Sequence, residues 1–312
     1  MNKFLVTGGA GFIGSNLCRR LLDEGNYVLC LDDLSTGKYS NIEELESNNN
    51  FEFVNHDLTK PFFPEEINGI FNLACPASPV HYQYNPIRTL KMGTLAIYNV
   101  LGMAAKNNVP VLQASTSEIY GDPKVHPQSE DYWGHVNPIG PRACYDEGKR
   151  VAESLCVSYR DYSGVNIRIA RIFNTYGPFM CPNDGRVISN IIVQALKGQD
   201  ITIYGDGSQT RSFCFVEDLV DGLIKLFHSD YQNPVNIGND RERSILNTAQ
   251  EILNITGSHS EIRFQDLPID DPKKRRPDLS KALEILDWKP RIDFKSGIVK
   301  TIEWFRKELN RE

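Results

Sequence analysis

The chain has 312 residues, 40% of them hydrophobic and 24% charged, which is the balance of an ordinary folded globular protein. The formal net charge of −6 argues against nucleic acid or an anionic membrane surface as a partner. No run approaches the ~18 consecutive apolar residues of a membrane-spanning helix, so we expect no membrane association.

Short apolar runs alternate with helical patterns through the first half of the chain. We predict strands over residues 4–7, 27–31, 51–54, 69–73, 109–113 and 165–170. We predict helices over residues 12–22, 86–107 and 142–162. This alternation predicts an α/β fold of the Rossmann type, with a doubly wound and mostly parallel sheet.

A glycine-rich loop, Gly8-Gly-Ala-Gly-Phe-Ile-Gly14, joins the first predicted strand to the first predicted helix. Its glycines allow a tight turn and let a pyrophosphate approach the N-terminus of the helix. Asp32 ends the second predicted strand, where a carboxylate accepts hydrogen bonds from an adenine ribose and repels a 2′-phosphate. The loop and Asp32 therefore predict an NAD site, and Asp57 is a further candidate for contact with the adenine.

Tyr145 and Lys149 lie one turn apart on a predicted helix, so their side chains share one face. The ordinary pKa of a tyrosine is near 10, which makes the neutral phenol a poor base. A neighbouring ammonium group stabilises the phenolate. We therefore expect Lys149 to lower the pKa of Tyr145 and to make it a general base.

Thr116, Ser117 and Glu118 follow the fifth predicted strand. Strand ends of this kind form the ligand-binding edge of a doubly wound sheet. The two hydroxyl groups can hydrogen-bond a sugar hydroxyl, and the Glu118 carboxyl can carry a proton. Together with the Tyr–Lys pair and the glycine loop, this segment predicts removal of a hydroxyl proton coupled to hydride transfer.

The second half of the chain changes to loops rich in Gly, Pro and Asp. Its predicted helices are shorter and lie over residues 217–228, 246–255 and 296–309. We predict an NAD-binding domain over residues 1–173, with parts of 212–240 added to it. A smaller α/β domain over residues 174–312 is predicted to supply the substrate pocket.

Seven cysteines are scattered along the chain, and none forms a Cys-x-x-Cys pair or a His/Cys cluster with metal-ligand spacing. We therefore predict no metal site. Scattered thiols, and an N-terminus without a secretory signal pattern, favour a reducing compartment. We accordingly expect the protein to reside in the cytoplasm.

Taken together, these motifs resemble those of the extended short-chain dehydrogenase/reductase family, whose nucleotide-sugar branch has the same order of motifs along nearly the whole chain. Longer strings are similar to its UDP-glucuronate decarboxylases, among them residues 76–79, 121–150, 171–175, 183–186, 205–211 and 271–278. Dehydratases of the branch carry an aspartic acid at the position of Ser117, where it protonates a leaving hydroxyl group. A serine there fits decarboxylation instead.

The resemblance implies an NAD cofactor, a UDP-sugar substrate and a homodimer. The implied cofactor contacts are Gly8, Gly11, Phe12, Ile13, Gly14, Asp32, Asp33, Ser35, Thr36, Gly37, Asp57, Leu58, Leu73, Tyr145 and Lys149. The implied substrate contacts are Lys91, Asn174, Arg186, Tyr204, Gln209, Arg211 and Arg275. The implied catalytic residues are Tyr145, Lys149, Thr116, Ser117, Glu118 and Arg275.

The resemblance also implies a reaction cycle at the sugar. Tyr145 takes the proton of the 4-hydroxyl while hydride leaves C4, and the resulting β-keto acid loses CO₂ before C4 is reduced again, giving UDP-xylose. Thr116 would orient the 4-oxygen, Glu118 would position the ring or a water, and Arg275 would lie near the carboxylate. Three alternatives remain open from the sequence: a UDP-sugar 4-epimerase, a nucleotide-sugar 4,6-dehydratase and a non-catalytic NAD-binding module.

Overall fold

The computed structural model describes residues 1–266 and 274–310, so the first three residues of the string over 271–278 lie outside the described residues. The strands are β1 Lys3–Thr7, β2 Tyr27–Asp32, β3 Phe51–Asn55, β4 Gly69–Asn72, β5 Val111–Thr116, β6 Ile167–Ile172, β7 Thr175–Tyr176, β8 Ile201–Tyr204, β9 Thr210–Ser212, β10 Cys214–Phe215, β11 Pro234–Ile237, β12 Glu242–Ser244, β13 Ile262–Gln265 and β14 Lys274–Arg275. The α-helices are α1 Phe12–Asp23, α2 Pro79–Tyr84, α3 Pro86–Lys91, α4 Ile97–Asn107, α5 Ala143–Ser163, α6 Val187–Leu196, α7 Val216–His228, α8 Ile245–Thr256, α9 Ser280–Leu286 and α10 Phe294–Leu309. Shorter helical segments are the 3₁₀ turns Tyr39–Asn41, Glu43–Ser47 and Ser117–Tyr120, and a π-helical segment, Met92–Ala96. Among the helices of the described ranges, none is both long and apolar enough to cross a membrane.

Seven strands form one parallel sheet in the order β11-β6-β5-β4-β1-β2-β3. Successive side chains of the central strand β1 enter two different cores, because neighbouring residues of a strand point to opposite faces. Val6 packs with α1 and α7 on one face, and Leu5 packs with α4 and α5 on the other. The predicted α/β fold of the Rossmann type is confirmed.

The carboxyl ends of the central strands meet at one edge of this sheet. The pairing register places Thr7 beside both Leu31 and Asn72, and it places Thr116 beside Ile172. The polar strand ends predicted to bind ligands therefore lie side by side, as expected for parallel strands.

The second half of the chain forms small sheets beside this edge. Strand β9 pairs with β12 and with β14, and the β9–β14 register sets Arg211 opposite Arg275. Strand β11 returns to the main sheet beside β6, and α7 packs against α1. The domain boundary at residues 173–174 stays a prediction.

Two predicted strands lie two or three residues later in the structure than in the sequence analysis. The strand predicted over 109–113 is β5, and the one predicted over 165–170 is β6. Pro110 has no N–H to donate to a ladder, so the first N–H that this run donates toward β6 is that of Val111, to the Asn166 carbonyl (2.9 Å). The shift carries β5 to Thr116, at the edge where ligands bind.

The helix predicted over 86–107 is divided into α3, the π-helical segment and α4. A Cβ added at Gly93 in that segment would lie 2.7 Å from the Cα of Gly148 on α5, which is closer than real Cβ atoms approach. A Cβ added at Gly148 would find its nearest atom 3.6 Å away. The close packing of α5 against this segment therefore requires a glycine at position 93 but not at position 148.

Candidate active site

A cavity of about 370 Å³ opens at the carboxyl edge of the seven-stranded sheet. It extends from the glycine loop before α1 to the guanidinium group of Arg275 on β14. Ligands of doubly wound folds bind at this edge, where loops and helix N-termini converge. The cavity thus joins the predicted cofactor motif to the predicted substrate residues.

The glycine loop forms one end of the cavity and has no room for side chains. Gly8 has a φ of +68°, a conformation that residues with a Cβ rarely adopt. A Cβ at Gly14 would lie 2.1 Å from the carbonyl oxygen of Gly8. Gly11 is the N-cap of α1, so the loop leads directly to the free N–H groups at the start of that helix.

Asp32 lines the cavity at the end of β2 and is 9% exposed. Its carboxylate accepts hydrogen bonds from the backbone N–H groups of Ala10 (3.1 Å) and Leu34 (2.9 Å). Burial raises the pKa of Asp32, and these two hydrogen bonds oppose that rise. Asp32 therefore ties the loop after β2 to the glycine loop, and its predicted contact with a ribose stays a prediction.

Tyr145 and Lys149 both line the cavity, and each is 5% exposed. The Lys149 Nζ donates a hydrogen bond to the Ala114 carbonyl oxygen at 2.7 Å and lies 5.8 Å from the centroid of the Tyr145 ring. The Ala114 carbonyl on β5 thus holds the ammonium group of Lys149 over the Tyr145 ring.

The expectation that Lys149 lowers the pKa of Tyr145 stays a prediction. Burial dominates and raises the pKa of Tyr145, the thiol of Cys75 adds to the rise, and a hydrogen bond with Thr116 opposes it. The Lys149 Nζ donates to the Ala114 carbonyl oxygen and lies over the Tyr145 ring. In this structure the buried Tyr145 therefore keeps its proton at neutral pH.

Glu118 lies between two arginines at the other end of the cavity. Its carboxylate forms ion pairs with Arg142 and with Arg275, and Arg275 is only 2% exposed. Burial alone would raise the pKa of Glu118, but the charges of Arg275 and Arg142 outweigh burial and lower it. Glu118 is therefore an ionised carboxylate in this structure, and its expected part in proton transfer stays a prediction.

Ser117 lies on the same side of the cavity and is 2% exposed. The Arg275 Nη1 donates to its hydroxyl oxygen at 3.3 Å, while the Arg275 Nη2 donates to the Gly121 carbonyl oxygen at 2.7 Å. These bonds hold the guanidinium group of Arg275 in one orientation at the wall of the cavity.

Asp146, next to Tyr145, is a buried carboxyl whose Oδ1 has no hydrogen-bond partner among the described residues. Burial, and then the charge of Glu118, raise the pKa of Asp146 to about 7. The folded protein holds this proton more tightly than the unfolded chain does. The carboxyl's contribution to stability is therefore fully present below its ordinary pKa near 3.8 and is lost as the pH rises through 7.

We expect Asp146→Asn to stabilise the protein more at pH 8 than at pH 5.5, because the amide has no charge to bury. The melting temperature of variant and wild type at both pH values measures this. Asp161→Asn, on the exposed face of the same helix, is the control and should shift the melting temperature little at either pH. An equal shift for Asp146→Asn at both pH values would contradict the assigned titration.

Comparison with known proteins places this geometry in a family. A family model described as GDP-mannose 4,6 dehydratase matches residues 5–301. UDP-glucuronic acid decarboxylase 1 of Xenopus tropicalis is 52% identical over 310 residues, which cover 99% of this chain and 73% of that protein. UDP-glucuronic acid decarboxylase 1 of Arabidopsis thaliana is 47% identical over 310 residues, covering 99% and 71%. The chain belongs to the UDP-glucuronic acid decarboxylase family.

A solved structure similar to this member of the decarboxylase family is the UDP-glucuronic acid 4-epimerase of Bacillus cereus in complex with UDP-glucuronic acid and NAD. The TM-score is 0.88 at 28% identity, covering 98% of this chain and 99% of that chain. The family model and these relatives confirm the resemblance to the nucleotide-sugar branch of the extended short-chain dehydrogenase/reductases.

Most of the predicted site residues of this family member line the one cavity. Those on the cofactor side are Gly8, Gly11, Phe12, Ile13, Gly14, Asp32, Asp33, Ser35, Thr36, Leu58 and Leu73. Those on the catalytic and substrate side are Thr116, Ser117, Glu118, Tyr145, Lys149, Asn174, Arg186, Arg211 and Arg275. Their roles stay predictions, but the fold brings them together.

Five predicted residues do not line the cavity. Gly37 abuts the Asp32 carboxylate, and the Asp57 side chain bonds Thr59. Lys91, Tyr204 and Gln209 lie outside it as well, on α3, at the end of β8 and before β9. The Gln209 Nε2 donates to the Tyr204 carbonyl oxygen at 2.6 Å, so these two residues bond each other.

The sequence analysis missed several residues that the structure adds to the cavity of this decarboxylase-family chain. Arg142 and Tyr82 both line it. Arg142 precedes Tyr145 by three residues within the matched string over 121–150, which was a signal for it. Lys38 also lines the cavity, but no local motif pointed to it. Its ion-pair partner Glu308 (3.1 Å) is 270 residues away in the sequence.

Proposed function

We propose that this protein decarboxylates UDP-glucuronate to UDP-xylose and CO₂, with NAD as its cofactor. The observation that carries the proposal is that one cavity brings together two sets of residues. Tyr145, Lys149 and Thr116 supply an oxidation site for a sugar hydroxyl, and the guanidinium of Arg275 supplies a partner for a carboxylate. The names of the decarboxylase relatives support the same assignment.

The residues at the glycine loop fit NAD. A Cβ at Gly8 would lie 2.8 Å from the Ala74 nitrogen and one at Gly14 would lie 2.1 Å from the Gly8 carbonyl oxygen, so the loop is tight and without side chains there. It leads to the N-terminus of α1, where a pyrophosphate is favoured. The Asp32 carboxylate at the end of β2 favours a free ribose hydroxyl over a 2′-phosphate. When bound, NAD supplies the acceptor for the C4 hydride and returns that hydride at the end of the cycle.

The chain's own residues move the proton and hold the sugar. Tyr145 accepts the proton of the 4-hydroxyl, and Thr116, which hydrogen-bonds Tyr145, orients the same oxygen. A positive charge in the cavity stabilises the phenolate, because burial otherwise raises the pKa of Tyr145. Lys149 holds its ammonium group beside the phenol ring.

Oxidation at C4 makes the carboxylate unstable, because the 4-keto sugar is a β-keto acid. Arg275 binds the carboxylate end, and the phenol of Tyr145 donates a hydrogen bond to the enolate oxygen at C4 that remains after CO₂ leaves. Water supplies the proton that C5 gains, and Tyr145 returns its own proton to the 4-oxygen when C4 is reduced. Ser117 has no acidic group with which to expel a C6 hydroxyl, which argues against a dehydratase. Arg186 and Arg211 line the remaining wall and suit a diphosphate.

The test is to incubate the protein with NAD and UDP-glucuronate and to follow CO₂ release and the nucleotide sugar by NMR. The proposal expects CO₂ and UDP-xylose in equal amounts. UDP-galacturonate without CO₂ would identify an epimerase and overturn the proposal. Binding of NAD without any change in the sugar would favour a non-catalytic module.

We also propose that the protein is a homodimer formed through the helices around α5. Large apolar side chains are exposed on the π-helical segment, on α4 and on α5. They are Leu95 (48% exposed), Tyr98 (56%) and Val151 (41%). The Tyr98 ring contacts the ring of Tyr159 on α5, with centroids 6.2 Å apart, so the exposed face is continuous across two helices. Apolar patches of this kind mark interfaces.

The double change Leu95→Glu and Tyr98→Glu is expected to convert the dimer to a monomer, because two carboxylates would be buried in the interface. Light scattering after size-exclusion chromatography measures the mass. Leu283→Glu on α9 is the matched control, because Leu283 is similarly exposed (52%) but lies on another helix, and it should leave the dimer intact. A wild-type protein that is monomeric at micromolar concentration would refute the interface.

A further inference from the structure

Arg275 lies on a very short strand at the edge of a small sheet. Strand β14 has two residues, Lys274 and Arg275, and it pairs on one side with β9. A pairing of two residues fixes a backbone weakly, since strands of globular proteins usually have five or six. The guanidinium group of Arg275 is nevertheless held in one orientation at the cavity wall, so contacts beyond β14 must help to fix it.

These contacts come from Gln128, which binds the residues that follow Arg275. The Gln128 Oε1 accepts a hydrogen bond from the Arg276 N–H at 2.9 Å, and the Gln128 N–H donates to the Arg276 carbonyl oxygen at 2.9 Å. The Gln128 carbonyl oxygen accepts from the Asp278 N–H at 2.8 Å. Three hydrogen bonds therefore attach the backbone of residues 276–278 to one glutamine.

Gln128 is itself held firmly. It is 0% exposed, and its Nε2 donates to the Val125 carbonyl oxygen at 2.8 Å. Its carbonyl oxygen also accepts from the Asn236 Nδ2 at 3.0 Å, and Asn236 lies on β11 of the seven-stranded sheet. Gln128 thus connects the segment that carries Arg275 to the main sheet.

The Gln128 side chain lies behind the cavity wall and does not line the cavity, so it acts through its neighbours. We propose that Gln128 is a positioning residue for Arg275, and that through Arg276 it holds the guanidinium group where that group meets the carboxylate of the sugar acid. The inference rests on the proposed function, which makes Arg275 the partner of the carboxylate. A binding group has to stay within about 0.5 Å of its productive position, so loss of this anchor should be measurable.

Gln128→Met tests this, because methionine has a similar length but lacks the amide group. Calorimetry in the Tyr145→Phe background needs no turnover, and it compares UDP-glucuronate with UDP-xylose, which has no carboxylate. We expect Gln128→Met to weaken UDP-glucuronate about tenfold and UDP-xylose less than about twofold. Arg275→Gln should lower the ratio of the two affinities at least as far.

Two further variants at position 128 separate positioning from a loss of stability. Gln128→Glu keeps the oxygen that accepts from the Arg276 N–H, so it should restore the affinity ratio to within about twofold of the parent. Gln128→Asn has a side chain one carbon shorter, which cannot reach this N–H, and it should lower the ratio. It takes the place of Gln128→Met if the methionine variant does not fold.

Gln194→Met is the matched control. The Gln194 Oε1 accepts a hydrogen bond from the Thr202 N–H at 3.1 Å, so this glutamine also anchors the backbone of a short strand, β8. Neither Gln194 nor Thr202 lines the cavity. We expect the variant to lower the melting temperature and to leave the affinity ratio unchanged.

An unchanged affinity ratio in Gln128→Met, or equal weakening of both ligands, would overturn the inference whatever the effect of Arg275→Gln. A ratio for Gln128→Glu as low as that for Gln128→Met would overturn it too, because the bond to Arg276 would then not be what matters. Absence of CO₂ release by the wild type would overturn the proposed function instead, while the affinity ratio would still judge Gln128.

Discussion

Tyr145→Phe is expected to abolish turnover, with a loss on the order of 10³-fold, while NAD still binds. The proposed function makes the phenol oxygen the acceptor of the 4-hydroxyl proton, and general bases contribute roughly 10²–10⁴-fold. The ring would stay stacked on Tyr82, because only the oxygen is lost. CO₂ release measures turnover, and calorimetry with NAD measures binding.

The control for this change is Tyr162→Phe on the same helix, where the side chain is 94% exposed. It should retain wild-type activity. A Tyr145→Phe protein with a tenth or more of the wild-type rate would show that another group removes the proton, and the proposed chemistry would need a different base.

Gly14→Ala is expected to weaken NAD binding by about 100-fold, the equivalent of about 3 kcal/mol. The new Cβ would lie 2.1 Å from the Gly8 carbonyl oxygen and 2.7 Å from the Gly9 Cα, and both are backbone atoms that a rotamer change cannot move. The loop must therefore shift away from the path of the pyrophosphate. Calorimetric titration with NAD measures the effect.

Gly102→Ala is the matched control, because this glycine also lies in a helix but a Cβ there would meet nothing within 4 Å. It should leave NAD affinity unchanged and raise the stability by up to about 1 kcal/mol, since alanine is the better helix former. If Gly14→Ala bound NAD as tightly as the wild type, the glycine loop would not be the pyrophosphate site.

The fold could be predicted from the sequence because its signals are local. The apolar run of β1, the glycine loop and the start of α1 follow each other within the first dozen residues, and each has one physical interpretation. The small strands β8 to β14 were not predicted, because they are two to four residues long and are defined by pairing with distant segments.

The candidate site could be predicted in its residues but less well in its electrostatics. Tyr145 and Lys149 were found by their spacing, whereas the direction of the Lys149 Nζ toward Ala114 depends on how α5 packs on β5. Likewise, Glu118 is an acid by residue type, but the lowering of its pKa comes from Arg275, 157 residues later in the chain. The sequence shows which side chains are present and which share a helix face. Their pKa values depend on neighbours that only the folded structure brings into contact.

The close approach of Gly93 to Gly148 has a consequence for efforts to change this enzyme by directed evolution. Helix α5 can lie this close to the π-helical segment because Gly93 has no side chain, whereas position 148 has room for a methyl group. A library that varies residues around Tyr145 can therefore include position 148. Randomising position 93 would displace the helix that carries both Tyr145 and Lys149, and most members of such a library would be inactive for reasons unrelated to the substrate.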